Sequence, residues 1–274
     1  MFDIMERNRD KPLISIIMNC YNGEKYLHKC LDSVLKQTYK NWEIIFCDNQ
    51  SQDKSAEIFR SFHDKRFKYF LGKEHTSLYT ARNLAIKKTK GKYVAFLDTD
   101  DWWYKTKLKE QIKFLKKNKK YQTVYTNFYL YFQNRNKFKK CYSSLPSGLI
   151  TQKLLNNYSI GISTVLLEKK IFKKFMFNEK YNIIGDFDFF INLSRHYNLG
   201  SIEKPLMFYR IHKSNFSIKK VDLYYNELKN WLNFNEKKLL KQKFKFGNIK
   251  LLLIKLKVKA VLKYFRLSVS SWKK

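Results

Sequence analysis

The run Ile14-Ser-Ile-Ile-Met-Asn19, and the residues Tyr26, Leu27, Cys30, Leu31, Val34 and Leu35 that follow it, decide the fold. A short β-branched apolar run reads as a buried strand, and apolar residues recurring at three- and four-residue steps read as one face of a helix. The alternation repeats. Trp42 to Cys47 is a second apolar run, followed by a polar turn from Asp48 to Lys54 and a short helix through Ala56, Ile58 and Phe59. Arg66 to Leu71 reads as a third strand, Thr80 to Thr89 as a helix, and Tyr93 to Leu97 as a fourth strand. Strands separated by such helices predict an α/β fold with a doubly wound, mostly parallel sheet, whose ligands bind beyond the carboxyl ends of the strands.

Beyond Tyr121 the pattern loosens. Thr123 to Phe132, Ser163 to Glu168 and Pro205 to Ile211 read as strands and Asp186 to Tyr197 as a helix, which predicts a mixed half that completes a cleft. No internal repeat is present, and 8 Gly with 3 Pro leave no flexible linker.

A chain of 274 residues, 44% of them hydrophobic, can fill a sizeable core. Lys and Arg number 56 against 23 acids, a net charge of +33 that implies an anionic partner: nucleic acid, an acidic membrane surface or a phosphorylated small molecule. Charge alone does not choose among them. Cys20, Cys30, Cys47 and Cys141 lack paired or zinc-like spacing, so they read as reduced thiols in a cytoplasmic setting. Residues 1–11 form a charged extension without the apolar core of a signal peptide. Nor does any stretch reach the roughly 20 uninterrupted apolar residues that span a bilayer.

The fourth strand runs directly into Asp98-Thr-Asp-Asp101. Three carboxylates crowded at a strand end repel one another unless a cation relieves them, and oxygen ligands suit Mn²⁺ or Mg²⁺ held jointly by protein and substrate phosphates. Acids decorating a helix N-terminus would explain one of the three easily, but not all.

The surrounding motifs carry a resemblance. Pro12-Leu-Ile-Ser-Ile-Ile-Met-Asn-Cys-Tyr-Asn-Gly-Glu-Lys-Tyr-Leu27, Cys30-Leu-Asp-Ser-Val-Leu-Lys-Gln-Thr-Tyr39 and Trp42-Glu-Ile-Ile-Phe-Cys-Asp-Asn-Gln-Ser-Gln-Asp53 closely resemble the opening of glycosyltransferase family 2. Ala81-Arg-Asn83, Gly91-Lys-Tyr93, the Asp98 to Asp101 cluster, Gly185-Asp-Phe-Asp188 and Pro205-Leu-Met-Phe-Tyr-Arg-Ile-His212 continue it in order, over roughly residues 12 to 217. The resemblance implies a GT-A type, Rossmann-like fold and an inverting transfer from a nucleotide-sugar, with UDP-sugars the expectation, to a glycan or lipid-linked acceptor in surface glycan assembly.

Site roles follow from it position by position. Cys20, Tyr21 and Asn22 stand where the family touches the nucleotide, with Tyr21 placed to stack on the base. Asp48 and Asn49 take the place of a family Asp-Asp pair whose second member accepts from the base. Asn49 is a departure, although its amide oxygen can still accept a hydrogen bond. Arg82 faces the donor, where a guanidinium fork suits phosphate oxygens. Asp98, Asp100 and Asp101 match the metal and ribose acids, with Asp100 and Asp101 expected nearest the metal and His212 as a further contact. Asp186 matches the general base that takes the acceptor's proton. Gly185 departs from the acid usually before that base, and Asp188 is its rival. Two competing readings stand beside this one: a basic nucleic-acid-binding protein, which no binding motif supports, and an inactive relative that binds nucleotide-sugar without turnover.

The reading divides the chain into residues 1–11, a glycosyltransferase domain at 12–222, and a basic helical tail at 223–274. In the tail, Leu251, Ile254, Val258, Val261, Leu262, Phe265 and Val269 share one helical stripe, beside Lys255, Lys259, Lys263 and Arg266. That layout fits a helix lying in an anionic membrane interface, and equally one docked on its own core. Leu252, Leu253, Leu256 and Leu267 fall off the stripe and leave a second apolar contact open. Lys237 to Lys274 holds no acid, which favours the membrane and a peripheral position. A chain ending near Phe234 is then expected to stay folded.

Overall fold

The computed structural model describes residues 11–213 and 215–271, the side chains of 217 and 263–271 apart. Of the expected N-terminal extension only Lys11 falls within it, and the stripe positions Phe265 and Val269 lie outside the described side chains. The first half runs β1 (Ile14–Cys20), α1 (Glu24–Leu35), β2 (Trp42–Asp48), α2 (Ser55–Ser61), β3 (Phe67–Leu71), α3 (Leu78–Lys88) and β4 (Tyr93–Phe96). The second half adds β5 (Trp102–Trp103), α4 (Lys107–Lys117), β6 (Thr123–Phe132), β7 (Lys137–Lys140), α5 (Thr151–Asn156), β8 (Leu166–Glu168), α6 (Gly185–Ser194), β9 (Leu199–Ile211), α7 (Phe216–Lys219), α8 (Val221–Lys241) and α9 (Gly247–Ser271).

One sheet organises the molecule, in the order β3-β2-β1-β4-β8-β6-β9-β5, with β7 paired to β6. The strands of the first half pair in parallel, β1 lying between β2 and β4. Polarity switches at β8, antiparallel to both β4 and β6, and is restored where β6 and β9 pair in parallel. The mixed half expected from the loosening pattern therefore begins at one short inserted strand.

Both faces of the sheet are covered, which is why its central strands read as continuous apolar runs. Ile14, Ile16 and Met18 pack with Leu27, Leu31 and Val34 of α1 and with Leu108, Ile112 and Leu115 of α4. The opposite face carries Ile17, Ile45, Val94 and Phe96, under Phe189 and Phe190 of α6 and Trp231 of α8. The expected strand over Ser163 to Glu168 survives only as β8, because Ile162–Thr164 turn as a 3-10 helix. There the Ser163 hydroxyl accepts from Asp98 N–H and its carbonyl from Trp103 Nε1–H.

The boundary expected at residue 222 does not separate a tail from the domain. It falls at the second residue of α8, whose Leu228, Trp231, Leu232 and Leu239 join the same apolar cluster. In α9 the buried residues are Ile249 and Leu256, with Leu253 and Ala260 packed beside them, and all four lie on the face opposite the expected stripe. Ending the chain near Phe234 would remove Leu239, Phe246, Ile249 and Leu256, each at most 5% exposed. At about 1.5–3 kcal/mol per buried side chain, that loss rivals a whole domain's stability of roughly 5–15 kcal/mol. Truncation is expected to unfold this protein, contrary to the reading from sequence.

Candidate functional site

Parallel pairing of β2, β1 and β4 brings three loops together at the carboxyl ends of the strands: Cys20–Asn22, Asp48–Asn49 and Asp98–Asp101. The first two are stitched by backbone. Asn49 N–H donates to the Cys20 carbonyl at 2.8 Å, and Asn22, at φ 54°, donates its own N–H to Ser51 Oγ and accepts from Gln52 N–H at Oδ1. Left-handed backbone is a conformation that Asn tolerates better than most side chains. Cys20 is buried, and burial pushes its thiol up.

Tyr21 stands out from the loop, half exposed, with its ring centroid 4.3 Å from that of His75. His75 comes from the loop before α3, held through Nδ1 to the Asn49 carbonyl at 2.9 Å. The two rings, tilted 51° to one another, form an aromatic ledge at the strand ends. No sequence signal singled out His75, because its place depends on a loop contact across 26 residues.

Asp48 and Asn49 turn inward. Asp48 is 1% exposed and accepts from Tyr69 OH at 2.7 Å and Ser51 N–H at 2.8 Å. Asn49 makes a reciprocal pair with Thr76: Nδ2 donates to the Thr76 carbonyl at 2.8 Å, and Oδ1 accepts from Thr76 N–H at 3.0 Å and its hydroxyl at 3.2 Å. The amide oxygen expected to accept from the base already holds two donors. Asn49 clamps the ledge rather than presenting a free acceptor.

Arg82, 2% exposed, donates from Nη2 to Asp98 Oδ1 at 2.7 Å, and its guanidinium lies against the rings of Tyr79 and Phe177. Burial raises the Asp98 carboxyl above the usual range even with Arg82 beside it. Asp100 and His212 meet, with Nε2 3.0 Å from Oδ2, while Asn215 Nδ2 adds a contact to the same oxygen at 3.3 Å. Asp101 does not join them. It is 2% exposed and accepts from Arg210 N–H at 3.0 Å, while Arg210 Nε donates to the Asp100 carbonyl. Burial, then the nearby Asp100 and Asp98, push the Asp101 carboxyl well above its ordinary value.

The expectation that Asp101 ligates a metal is therefore corrected: it ties the acidic turn to β9. Among the described residues no group of three or more His, Cys, Asp or Glu converges as a cage. One carboxylate and one imidazole, both partly open to solvent, nevertheless fit a divalent cation whose remaining positions are filled by phosphates and water.

Asp186 sits in the first turn of α6, within electrostatic reach of Arg82 and Asp98. Its Oδ1 accepts from Phe187 N–H at 2.8 Å and from Tyr79 OH at 3.3 Å, and Tyr79 OH also donates to the Ile183 carbonyl. Burial raises the Asp186 carboxyl to about 6, although Arg82 opposes the shift. The loop before Asp186 is fixed by Glu227 of α8, which accepts from the N–H groups of Asn182, Ile183 and Ile184. Asp188 is occupied elsewhere, accepting from Trp231 Nε1–H at 2.8 Å and Asn192 Nδ2–H at 3.2 Å, and so pins α8 to α6. Tyr79 had a legible signal, standing three residues before Arg82 on one helix face; Glu227 had none.

An acidic turn at the ends of parallel strands, paired with a buried arginine that also lies near a second buried carboxylate, is the arrangement of a GT-A glycosyltransferase. Comparison with known proteins agrees. Residues 15–198 match the pattern of "Glycosyl transferase family 2", and the chain belongs to that family. An Escherichia coli UDP-Glc:alpha-D-GlcNAc-diphosphoundecaprenol beta-1,3-glucosyltransferase, WfgD, is 37% identical over 168 residues, 61% of this chain and 65% of that one. An uncharacterized glycosyltransferase of Methanocaldococcus jannaschii is 32% identical over 235 residues, 82% of this chain and 81% of its own. The match to a Rickettsia conorii relative spans only 33% of that longer protein. Among solved structures, S. aureus TarS in complex with UDP aligns with TM-score 0.62 and 20% identity, over 78% of this chain and 65% of that one. The mannosyltransferase PcManGT of Pyrobaculum calidifontis, in complex with GDP-Man and Mn²⁺, aligns with TM-score 0.60 and 14% identity, over 80% and 62%. Both likenesses concern the fold.

Proposed function

We propose that this protein transfers a sugar, with inversion, from a UDP-sugar to a hydroxyl of a lipid-linked glycan. The observation that carries the reading is Asp186, held by Tyr79 OH and Phe187 N–H and close enough to feel the charge of Arg82, which is itself paired with Asp98 of the acidic turn. Its carboxyl, raised to about 6, is ionised at neutral pH yet more basic than an exposed aspartate. It takes the acceptor's proton as the acceptor oxygen bonds to the anomeric carbon. The bond from that carbon to the diphosphate oxygen breaks, its electron pair leaving with the nucleoside diphosphate. One displacement inverts the centre. Mn²⁺ or Mg²⁺ held by Asp100 and His212 would supply the positive charge that stabilises the leaving diphosphate. Arg82 orients Asp98, and the Tyr21–His75 ledge receives the base.

The UDP assignment rests on relatives: WfgD and a second E. coli protein, WfaP, are named for UDP-Glc, and TarS has been solved with UDP and with UDP-GlcNAc. The lipid-linked acceptor rests on the diphosphoundecaprenol in two of those names. No helix among the described residues is long and apolar enough to cross a membrane. A peripheral position is supported by α9, where Leu251, Ile254, Val258, Val261 and Leu262 are exposed opposite the docked face. Screening UDP- and GDP-sugars with Mn²⁺ against a synthetic lipid-diphosphate glycan tests the whole reading, with the product's anomeric configuration read by NMR. Retention of configuration, or no transfer from any UDP-sugar, would refute it.

A further inference from the structure

A cavity of about 490 Å³ opens beside Asp186 and runs between α5, α6, α8 and α9. Its lining includes Asp186 and Tyr158, Tyr224 of α8, and Leu251, Leu252 and Lys255 of α9. Three properties of this wall point to a ligand. The Tyr158 hydroxyl is buried and has no hydrogen-bond partner among the described residues, a costly condition that an incoming hydroxyl would relieve. Lys255 is an exposed cation on a helix that carries no acid. Leu251 belongs both to the cavity and to the exposed apolar stripe, so the cavity opens onto that stripe without an intervening polar rim on α9.

We propose that this cavity is the acceptor site, and that α8 and α9 make it selective for a glycan joined through phosphate to a lipid chain. The inference rests on Asp186 being the general base. The acceptor hydroxyl lies at Asp186 and Tyr158, the sugar stands beside Tyr224, the phosphate meets Lys255, and the chain leaves over Leu252 and Leu251 toward the stripe. Tyr224, Leu251, Leu252 and Lys255 all lie beyond the family match, which ends at residue 198. The proposed acceptor wall on α8 and α9 is thus built outside the part of the chain that the family pattern covers.

The test uses the full chain and three probes: farnesyl diphosphate, farnesol and inorganic diphosphate. Calorimetry is run with UDP and Mn²⁺ saturating, so that the donor site is filled, and again without them. Farnesyl diphosphate should bind one to one in both conditions, about tenfold or more tighter than either half alone. Lys255→Glu should weaken it about tenfold, the effect of losing one charge-assisted contact, while leaving UDP affinity and the melting temperature unchanged. Leu252→Asp should weaken farnesyl diphosphate and farnesol alike but not diphosphate. Equal binding of farnesyl diphosphate by the wild type, Lys255→Glu and Leu252→Asp would overturn the proposal, as would tightest binding of inorganic diphosphate. Lys255→Ala supplies the same comparison if the Glu variant does not fold. Failure of the general-base reading is seen separately: Asp186→Asn would keep turnover, whatever the probes do.

Discussion

The ring of Tyr79 fills the space in which a side chain at residue 185 would stand: a Cβ on Gly185 would lie 2.5 Å from Tyr79 Cδ2 and Cε2. This explains why an acid is missing just before Asp186. The same ring carries the hydroxyl that donates to Asp186, so the glycine and Asp186 are parts of one arrangement. Gly185→Ala should therefore displace Tyr79. Overpacking of a buried ring costs about 1–3 kcal/mol, more than the roughly 1 kcal/mol that alanine gains over glycine within a helix. Thermal melting should show a net loss, accompanied by reduced turnover.

The proposed general-base role makes Asp186 the group that should set the pH dependence of transfer. With its carboxyl near 6, turnover should rise about tenfold per pH unit below that value and level off above it. Burial sets the shift; Arg82, the Phe187 N–H and the Tyr79 hydroxyl oppose it, and Asp98 adds to it. Tyr79→Phe removes one opposing contact, so the midpoint should move upward. Asp186→Asn should bind UDP normally and lose about 10²-fold or more in turnover. The folded state also binds this proton more tightly than the unfolded chain does, so stability falls as pH rises through roughly 4 to 6. Asp186→Asn should accordingly melt above the wild type at pH 7 and not at pH 4.

Metal dependence should divide the acids of the turn. Asp100→Ala and His212→Ala should abolish the Mn²⁺ enhancement of UDP binding measured by calorimetry with and without chelator. Asp101→Ala removes the buried acceptor of the Arg210 N–H, so its first effect should be a lower melting temperature. Equal loss of the Mn²⁺ response in all three variants would put Asp101 back among the ligands.

The first half of this fold is legible because each strand is a short apolar run and each helix a clean three- and four-residue pattern. Ile14 to Cys20 with Glu24 to Leu35 shows both at once. Site residues were legible as loops but less so as roles. Asp48, Asn49 and Asp101 sit at the right strand ends, yet tertiary partners, Tyr69, Thr76 and Arg210, consume their polar atoms. No sequence spacing encodes those contacts, which cross 21, 27 and 109 residues. In the tail, a helix with two apolar faces defeated a search for one stripe. The docked face was Ile249, Leu253, Leu256 and Ala260, and the stripe that stood out was the one left exposed.

Asn49→Asp restores the family's acid but not its surroundings. The Nδ2 donor to the Thr76 carbonyl is lost, and a carboxylate oxygen takes its place against another acceptor. Leaving such a buried pair unsatisfied costs about 1–3 kcal/mol. The variant should melt lower and bind UDP more weakly, with the Tyr21–His75 ledge loosened. Thr76→Val, which removes only the hydroxyl contact, should have a smaller effect on both measurements.

The exposed stripe of α9 predicts how the protein meets a lipid surface. A helix advances about 100° per residue, which sets Leu251, Ile254, Val258, Val261 and Leu262 opposite the docked Ile249, Leu253 and Leu256. Lys257 then falls on one flank of the stripe, beside Lys250, whose ammonium is paired with Glu236 of α8 at 2.6 Å, and Lys255 and Lys259 fall on the other. Apolar residues between two rows of cations is the layout of a helix lying in the interface of an anionic bilayer, where each cation contributes about 1 kcal/mol. Truncation cannot test this, because the docked face belongs to the core. Substitution can. Ile254→Asp with Val258→Asp changes only exposed positions, 61% and 53% accessible, so fold and UDP binding should persist. Vesicles of phosphatidylglycerol and phosphatidylcholine should carry the wild type to the pellet at low salt and release much of it at high salt. The double variant should stay in the supernatant at both. Lys257→Glu with Lys259→Glu should reduce binding to the anionic vesicles while leaving any residual binding to pure phosphatidylcholine unchanged. Equal pelleting of wild type and both double variants would mean that α9 does not face lipid, and the exposed stripe would then need another occupant.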